Sequence, residues 1–250
     1  MRKIYFENIP VAFVSASQMK EIDRLAMEEY NIELIQMMEN AGAALAMLTS
    51  KYLTNVKGKR IAVLAGNGNN GGGGLVAARR LSNWGGDVAV INLTGKRKDI
   101  PQLQMQIAKK LNIHFITLFD QSALDSIIKE LLSSDIILDA LIGYGLAGEP
   151  DGLMKAIIDA ANDSQKDIIS LDVPSGMDSN LGISNGTCIK AKATLTLALP
   201  KKGFLSIEAR KYTGELYLAD ISIPLTIYHE LGLDVQPFFN GQPYISLKIR

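Results

Sequence analysis

The first part of the chain places an apolar residue at every third or fourth position, which is the spacing of an amphipathic helix. Ser15 and Gln18 stand three positions apart, as in a capping box, and predict a first helix over residues 15–29. The polar residues expected to face outward on this helix are Lys20, Glu21, Asp23 and Arg24. A second helix is predicted over residues 33–52, where small residues at 41–44 would allow close packing.

Beyond Lys59 the pattern changes to short aliphatic and β-branched runs separated by helical segments. This alternation is typical of a parallel sheet wound with helices, so the predicted fold class is α/β. Strands are predicted over residues 60–65, 88–93, 113–118, 136–139, 168–172, 194–199 and 216–218. Helices are predicted near residues 74–84, 101–111, 122–132 and 153–161.

We expect one domain, because 250 residues are within reach of a single α/β unit with an extension. Its parts would be N-terminal helices over residues 1–58, a core over 59–220 and a C-terminal extension over 221–250. The last ten residues, 241–250, would form an extended segment that closes a sheet edge or contacts a partner.

Composition argues against several classes of function. The counts of Lys+Arg and of Asp+Glu are both 26, so no net charge would attract nucleic acid or an anionic membrane. No apolar run approaches the ~20 residues that span a bilayer, and charges interrupt the first residues too early for a secretory signal. The single Cys188 cannot form an internal disulfide, which suits a reducing compartment. We therefore expect a cytoplasmic protein with neither a membrane nor a nucleic-acid partner.

Residues 61–81 are expected to form a buried strand, a glycine loop and a helix in direct succession. Gly66, Gly68 and Gly71 match the pattern G-x-G-x-x-G, so backbone amides and a helix opening near Gly74 could hold a phosphate. A merely flexible loop is the alternative, but so many glycines would carry a high cost in chain entropy. The loop is therefore the predicted binding site.

Two common nucleotide folds lack support at this loop. Gly74 and Leu75 stand where a triphosphate-binding P-loop has its Lys and Ser/Thr pair. Asn92 and Leu93 end the next strand and leave no carboxylate for the ribose of an ordinary NAD fold. The basic run at 96–98 follows that strand and either contacts a phosphate or is solvated surface.

Asp139 and Asp172 each end an apolar run, so we expect both at the carboxyl ends of neighbouring parallel strands. Ligands bind at that edge of such sheets. A single aspartate there is more simply explained as a cap or turn residue. Two of them beside a glycine loop favour a functional pair.

Oxygen ligands for a hard cation could also meet at this edge. Asn70, Asp139 and Ser175 could supply an amide, a carboxylate and a hydroxyl oxygen. One carboxylate suits a monovalent ion, or no ion and a hydrogen-bond network instead. His114 and His229 lack metal-ligand spacing, so zinc is not expected.

Six motifs follow one another between residue 14 and about residue 214. They are VSASQMKEIDR (14–24), MMENAG (37–42), NNGGGGLVAAR (69–79), DALIGYGL (139–146), DVPSGMD (172–178) and ATLTLALPKKG (193–203). In this order the sequence resembles the NAD(P)HX epimerases, the YjeF N-terminal domain family.

The resemblance implies a three-layer Rossmann-like sandwich with a mostly parallel, doubly wound sheet and an N-terminal helical pair, forming a homodimer. It implies an isomerase of metabolite repair that interconverts the R and S epimers of hydrated NADH and NADPH (NADHX and NADPHX). These damaged nucleotides carry a hydroxyl at C6 of the nicotinamide ring. The NAD(P)HX dehydratase that acts with such epimerases is often fused downstream, and here it is expected to be a separate protein.

The resemblance also implies the residues of the site. Residues that would contact the damaged nucleotide are Asn69, Asn70, Gly71, Gly72, Gly73, Gly143, Tyr144, Gly145, Leu146, Ala147, Gly148, Glu149 and Asp172. A potassium ion would be bound by Asn70, Asp139 and Ser175.

Asp172 is expected to be the catalytic residue. The ring nitrogen can expel the C6 hydroxyl as an acid protonates it, and water can then attack the planar iminium on either face. Asp172 would act as acid and as base, a role that requires burial to favour its protonated form. Potassium and the loop amides would only position the nucleotide.

One position departs from the family pattern. The family loop reads Asn-Asn-Gly-Gly-Asp-Gly, and Gly73 stands in place of its aspartate.

Two alternatives to the epimerase follow. One is a non-catalytic protein with a degenerate nucleotide site, since the same fold serves as a scaffold in mRNA-decapping enhancers and apolipoprotein A-I binding proteins. The other is an enzyme acting on another hydrated or phosphorylated nucleotide. Retention of Asp139, Asp172 and Ser175 favours a working pocket.

Overall fold

The computed structural model describes residues 2–146 and 148–250, which form one ten-stranded sheet with helices on both faces. The strands are β1 (Ile4–Phe6), β2 (Ile9–Val11), β3 (Arg60–Ala65), β4 (Asp87–Leu93), β5 (His114–Leu118), β6 (Ile136–Ala140), β7 (Ile168–Leu171), β8 (Ala193–Leu197), β9 (Glu215–Ala219) and β10 (Tyr244–Ile249). The α-helices are α1 (Ala16–Glu28), α2 (Leu34–Leu53), α3 (Asn69–Asn83), α4 (Asp99–Lys110), α5 (Leu124–Ser133), α6 (Gly152–Asp163), α7 (Arg210–Thr213) and α8 (Leu225–Glu230).

The strand order is β2-β1-β10-β9-β8-β7-β6-β3-β4-β5. Every neighbouring pair from β9 to β5 is parallel, whereas β10, β1 and β2 pair antiparallel at one edge. From β3 the chain adds β4 and β5 on one side, and then returns to place β6 on the other side. The sheet therefore has its topological switch point between β3 and β6, which is where ligands bind in doubly wound folds.

Successive side chains of the central strands point to opposite faces of the sheet, and each face has its own hydrophobic core. Ile61, Val63 and Ala65 of β3 belong to the core that contains the buried residues of α1, α2, α3 and α4. Ala62 and Leu64 belong to the core formed with α5 and α6. A strand buried on both faces needs such a continuous apolar run, and the helices on the two faces make the fold a three-layer sandwich.

The predicted α/β class, parallel sheet and helical pair are confirmed. Ser15 caps α1 and forms the predicted capping box with Gln18, because each side chain bonds the other residue's backbone N–H. The strands agree with the predictions to within two residues at each end. The segment at 241–250 contains β10, which pairs antiparallel with β9 and β1.

One predicted helix begins earlier than expected, and four short elements were not predicted. Helix α3 begins at Asn69, with Gly68 as its N-cap, so the predicted glycine loop is the first two turns of the helix. Helix propensity disfavours four glycines there, but packing overrides propensity. Strands β1 and β2 and the short helices α7 and α8 were not predicted, because segments this short carry almost no periodic signal.

Within the described residues, the structure has no helix that is both long enough and apolar enough to cross a membrane.

Candidate functional site

A cavity of about 460 Å³ opens at the carboxyl edge of the sheet, beside the switch point. Its walls come from α1 and α2, from the start of α3, and from the loops that follow β6 and β7. The predicted nucleotide contacts that line it are Asn69, Asn70, Gly73, Gly143, Tyr144, Gly145 and Asp172. The structure thus brings the residues of three separate motifs to one pocket.

Other predicted contacts do not line this cavity. They are Gly71, Gly72, Leu146, Gly148 and Glu149, and Ala147 lies outside the described residues. A Cβ on Gly71 would lie 1.9 Å from the carbonyl oxygen of Gly66, and one on Gly72 would lie 2.5 Å from Sδ of Met38. These two glycines therefore permit close packing of α3. They do not line the cavity because a helical turn presents only some of its residues to a given side.

Asp172 follows β7 directly and has a left-handed backbone conformation, with φ of 68°. Such a conformation is uncommon for a residue other than glycine, but aspartate and asparagine adopt it more readily than most. Its Oδ2 accepts a hydrogen bond from the backbone N–H of Tyr144 at 2.9 Å. Its Oδ1 lies 2.5 Å from Nζ of Lys201. The carboxylate is therefore held from two sides at the cavity wall.

Lys201 was not predicted as a site residue, although it lies in the last of the six motifs. Its side chain is completely buried, and it lines the same cavity as Asp172. Nζ also donates to the carbonyl oxygens of Leu197 at 2.8 Å and of Leu199 at 3.2 Å. The apolar residues 197–200 directly before this lysine are the signal that could have indicated it, because lysine is almost never fully buried without a partner.

Asp23 lines the cavity, so the prediction that it faces outward is wrong. It stands four positions after Met19 and three before Ala26, and both of these residues are buried. These spacings place it on the same face of α1. Its Oδ2 accepts a hydrogen bond from the Tyr144 hydroxyl at 2.6 Å. Burial raises the pKa of Asp23, and burial together with the nearby Asp23 raises the pKa of Tyr144.

Asp139 and Ser175 are completely buried and do not line the cavity. Oδ1 of Asp139 accepts from the Ser175 hydroxyl at 2.6 Å, and Oδ2 accepts from the Ser175 backbone N–H at 2.9 Å. The Ser170 hydroxyl donates to Oδ2 at 2.8 Å. All described hydrogen-bond donors to this carboxylate are neutral, and burial raises the pKa of Asp139.

Asn70 stands apart from that pair in its hydrogen bonding. Its side-chain amide donates to the carbonyl oxygen of Leu171 at 3.1 Å, and its own Oδ1 lies against Gly143. The structure therefore brings together two of the three predicted ion ligands, with Asn70 at the cavity wall.

The basic residues at 96–98 lie in different surroundings. Lys98 lines the cavity, whereas Arg97 donates from Nη1 to the carbonyl oxygen of Gly66 at 2.5 Å. Arg97 therefore supports the turn before α3, and burial lowers its pKa.

Comparisons with known proteins agree on one family. The model described as YjeF-related protein N-terminus matches residues 34–203. The NAD(P)H-hydrate epimerase of Dehalogenimonas lykanthroporepellens is 42% identical over 231 residues, which cover 91% of this chain and 90% of that protein. The bifunctional NAD(P)H-hydrate repair enzyme Nnr of Moorella thermoacetica is 37% identical over 215 residues, which cover 84% of this chain but only 40% of that protein.

A solved structure is similar over nearly the whole chain. The crystal structure of yeast ynu0 matches with a TM-score of 0.81 and 25% sequence identity, covering 94% of this chain and 100% of the yeast chain.

Proposed function

The chain belongs to the family of YjeF-related protein N-termini, and we propose that it interconverts the R and S epimers of hydrated NADH and NADPH. The relative of nearly equal length from Dehalogenimonas lykanthroporepellens is named an NAD(P)H-hydrate epimerase, which supports an isomerase. One structural feature supports this function most directly. A single cavity combines the amino end of a helix with a buried carboxylate and its lysine partner.

The amino end of α3 is suited to the phosphates of the nucleotide. Gly68 is its N-cap and offers no side-chain hydrogen bond to the first turn. The N–H groups of that turn and the helix dipole therefore favour an anion at this place. We expect the pyrophosphate near Gly68 and Asn69, and the hydrated nicotinamide ring near Asp172 and Tyr144.

The reaction needs two proton transfers, one to the departing hydroxyl oxygen at C6 and one from the oxygen of the entering water. An acid protonates the departing hydroxyl while the lone pair of the ring nitrogen forms the C6=N bond and water leaves. Water then attacks the planar iminium on the other face, and a base takes its extra proton. Both epimers pass through the same iminium, so the enzyme needs no redox cofactor turnover.

The contacts of Asp172 support the second of these transfers. The ammonium of Lys201 at 2.5 Å and the N–H of Tyr144 at 2.9 Å both stabilise a negative carboxylate. The sequence predicts Asp172 as acid and as base, but these partners oppose the protonated form on which the acid role depends. We therefore assign Asp172 as the base that activates the attacking water.

A monovalent cation, potassium for preference, fits the oxygen atoms of Asn70, Asp139 and Ser175. Asp139 is a fully buried carboxyl group whose described donors are all neutral, so a cation there would stabilise its ionised form. Asp139 and Ser175 would hold the ion with Asn70 from the cavity wall, and all three offer the oxygen atoms that hard cations prefer. When bound, the ion would supply fixed positive charge beside the nucleotide, and the proton transfers would remain with the protein.

The partners follow from the same chemistry. The substrate is the damaged pyridine nucleotide, and an NAD(P)HX dehydratase would consume one of its epimers. The bifunctional repair enzyme of Moorella thermoacetica, of which this chain covers 40%, supports an association with a second repair activity. We further propose that the chain forms a homodimer, which light scattering coupled to gel filtration would test.

A direct epimerase assay tests the function. A preparation enriched in one epimer of NADHX or NADPHX is mixed with the protein, and the approach to the equilibrium mixture is followed by chromatography against a protein-free sample. We expect the protein to accelerate this approach. Absence of acceleration, together with a nucleotide-dependent rise in melting temperature, would favour the non-catalytic binding protein instead.

A further inference from the structure

A second carboxyl group faces the cavity in surroundings unlike those of Asp172. Asp23 reaches the cavity from α1, and the one hydrogen bond found to its side chain within the described residues comes from the Tyr144 hydroxyl, at 2.6 Å. Asp172, by contrast, has the Lys201 ammonium at 2.5 Å. The pocket therefore contains one carboxyl group paired with a cation and one held by a neutral hydroxyl.

The two carboxyl groups lie in different electrostatic surroundings. Burial raises the pKa of Asp23, and the negative Asp172 contributes in the same direction. The hydrogen bond from Tyr144 and the positive Lys201 act in the opposite direction but are smaller influences than burial. In many enzymes the general acid and the general base are two titratable groups whose surroundings differ in this way.

We propose that Asp23 is the general acid of the epimerisation and protonates the departing C6 hydroxyl, while Asp172 is the base. This inference rests on the proposed function. It adds a catalytic residue from α1, an element that lies before the matched family segment at 34–203.

The proposed step is balanced in atoms and charge. The proton of Asp23 moves to the hydroxyl, the C6–O bond breaks with its electron pair on oxygen, and water departs. The ring nitrogen supplies the pair that forms C6=N. Water adds to the opposite face, its extra proton moves to Asp172, and exchange with solvent restores both carboxyl groups. In the reverse direction the two groups exchange roles.

Tyr144 is a positioning residue in this arrangement. Its backbone N–H donates to Asp172 and its hydroxyl donates to Asp23, so one residue fixes both carboxyl groups. A change to phenylalanine removes only the second of these contacts. This separation allows the Asp23 contact to be tested without disturbing the backbone contact to Asp172.

The first test is Asp23→Asn, which keeps the size of the side chain and an oxygen that accepts from Tyr144. We expect kcat to fall by about 10²-fold or more, the usual contribution of a general acid, with little change in KM. Glu28→Gln is the matched control, because it makes the same chemical change on the exposed side of α1. The inference is overturned if the folded Asp23→Asn variant turns over as fast as the parent.

The second test uses the pH dependence of kcat. An acid catalyst must be protonated, so kcat falls as pH rises through the pKa of Asp23. The Tyr144 hydroxyl stabilises the ionised carboxylate, so Tyr144→Phe should raise the pKa of Asp23 and move this alkaline limb to higher pH. Among the described residues, the other charged or titratable groups around Asp23 are Asp172, Lys201 and Tyr228, and the variant leaves all three in place. An alkaline limb that stays in place or moves to lower pH would rule out Asp23.

These measurements separate the two proposals. If the parent protein does not accelerate epimerisation, the proposed function fails before any variant is made. If the parent is active and both variants keep its rate and pH profile, only the assignment of Asp23 fails. Should Asp23→Asn not fold, as judged by circular dichroism, Tyr144→Phe alone decides.

Discussion

At the scale of single residues, the buried pair of Lys201 and Asp172 dominates the site. Both side chains are almost completely buried, and the lysine adds hydrogen bonds to two backbone carbonyls. Removing two charges from water is costly, and breaking a buried pair by removing one partner costs about 3–5 kcal/mol. Stability alone therefore does not explain why two charged groups are buried together, which is consistent with a role in catalysis.

The first prediction concerns Asp172→Asn. Asparagine tolerates the left-handed backbone at this position, so the change removes the charge without adding strain. We expect epimerisation to slow by about 10²-fold or more, as for the loss of a general base. Because Lys201 is left without its partner, the free energy of unfolding should fall by about 3–5 kcal/mol in a urea titration.

The double variant Asp172→Asn, Lys201→Met is the control for that prediction. It should recover much of the stability, because no unpaired charge remains, but none of the activity. Single-variant turnover equal to that of the parent would show that Asp172 orients the ligand and does not transfer protons.

The second prediction concerns Gly73→Asp, which restores the carboxylate of the family pattern. Gly73 lines the cavity, and a Cβ there would lie 2.7 Å from Cδ2 of Leu171, so the leucine side chain must rotate. A carboxylate beside a phosphate would repel it, whereas the amides at the helix end remain in both forms. We expect turnover or epimer preference to change more than nucleotide affinity, as measured by the epimerase assay and by calorimetric titration.

Gly73→Asn separates the charge of the new side chain from its volume. If the parent protein neither binds the nucleotide nor turns it over while Gly73→Asp does both, the site has been disabled at this position. The non-catalytic alternative would then replace the enzyme.

At the scale of elements, the start of α3 has two functions. Gly68, Asn69 and Asn70 at this end line the cavity, while the glycines let the helix pack closely against α2 and the strands below. A Cβ on Gly74 would lie 2.6 Å from Cβ of Ala140 in β6, and the contact at Gly71 is closer still. The glycine pattern that predicts a phosphate loop is therefore largely a packing pattern, and this packing holds the helix end at the switch point.

The third prediction follows for Gly71→Ala. The added Cβ would meet the backbone oxygen of Gly66 at 1.9 Å, and backbone cannot rotate away as a side chain can. We expect the free energy of unfolding to fall by about 1–3 kcal/mol or more, the usual cost of overpacking. Gly145→Ala is the control for stability, because nothing lies within 4 Å of its new Cβ. Equal urea midpoints for Gly71→Ala and the parent would contradict the close approach.

At the scale of the whole molecule, the sheet brings several unlike groups to one edge. β6 and β7 are neighbours, with Asp139 paired to Ser170, and β3 lies directly beside β6. The buried carboxyl group of Asp139 thus lies at the same sheet edge as the pocket whose walls contain Asp172 and Asn70. A cation bound there would link the stability of the fold to the formation of the site.

The fourth prediction is that potassium stabilises the protein. A ligand that binds only the native state raises stability by roughly 2.7 kcal/mol at a hundred times its Kd. We expect a higher melting temperature in potassium chloride than in tetramethylammonium chloride at the same ionic strength, because the bulky cation cannot enter. Asp139→Asn should abolish the difference. Identical melting temperatures of the parent protein in the two salts would contradict the ion site.

Local patterns in the sequence determined much of the architecture. The period of apolar residues specified α1, α2 and the parallel strands, because each of these elements must bury a face whose spacing is set by its own geometry. Asp139 and Asp172 could be placed at one edge for the same reason, since each ends a buried run in a sheet whose strands are parallel.

Only the tertiary structure decided which side chains meet inside the pocket. Tyr144 and Asp23 form a hydrogen bond although 121 positions separate them, and Lys201 reaches Asp172 across the strand order β7-β8. The same holds for α3, where packing against Gly66 and Met38 makes a helix of a segment whose glycines disfavour one. Periodicity reports which face of an element is buried, whereas the partner that a buried polar group finds depends on contacts between distant segments.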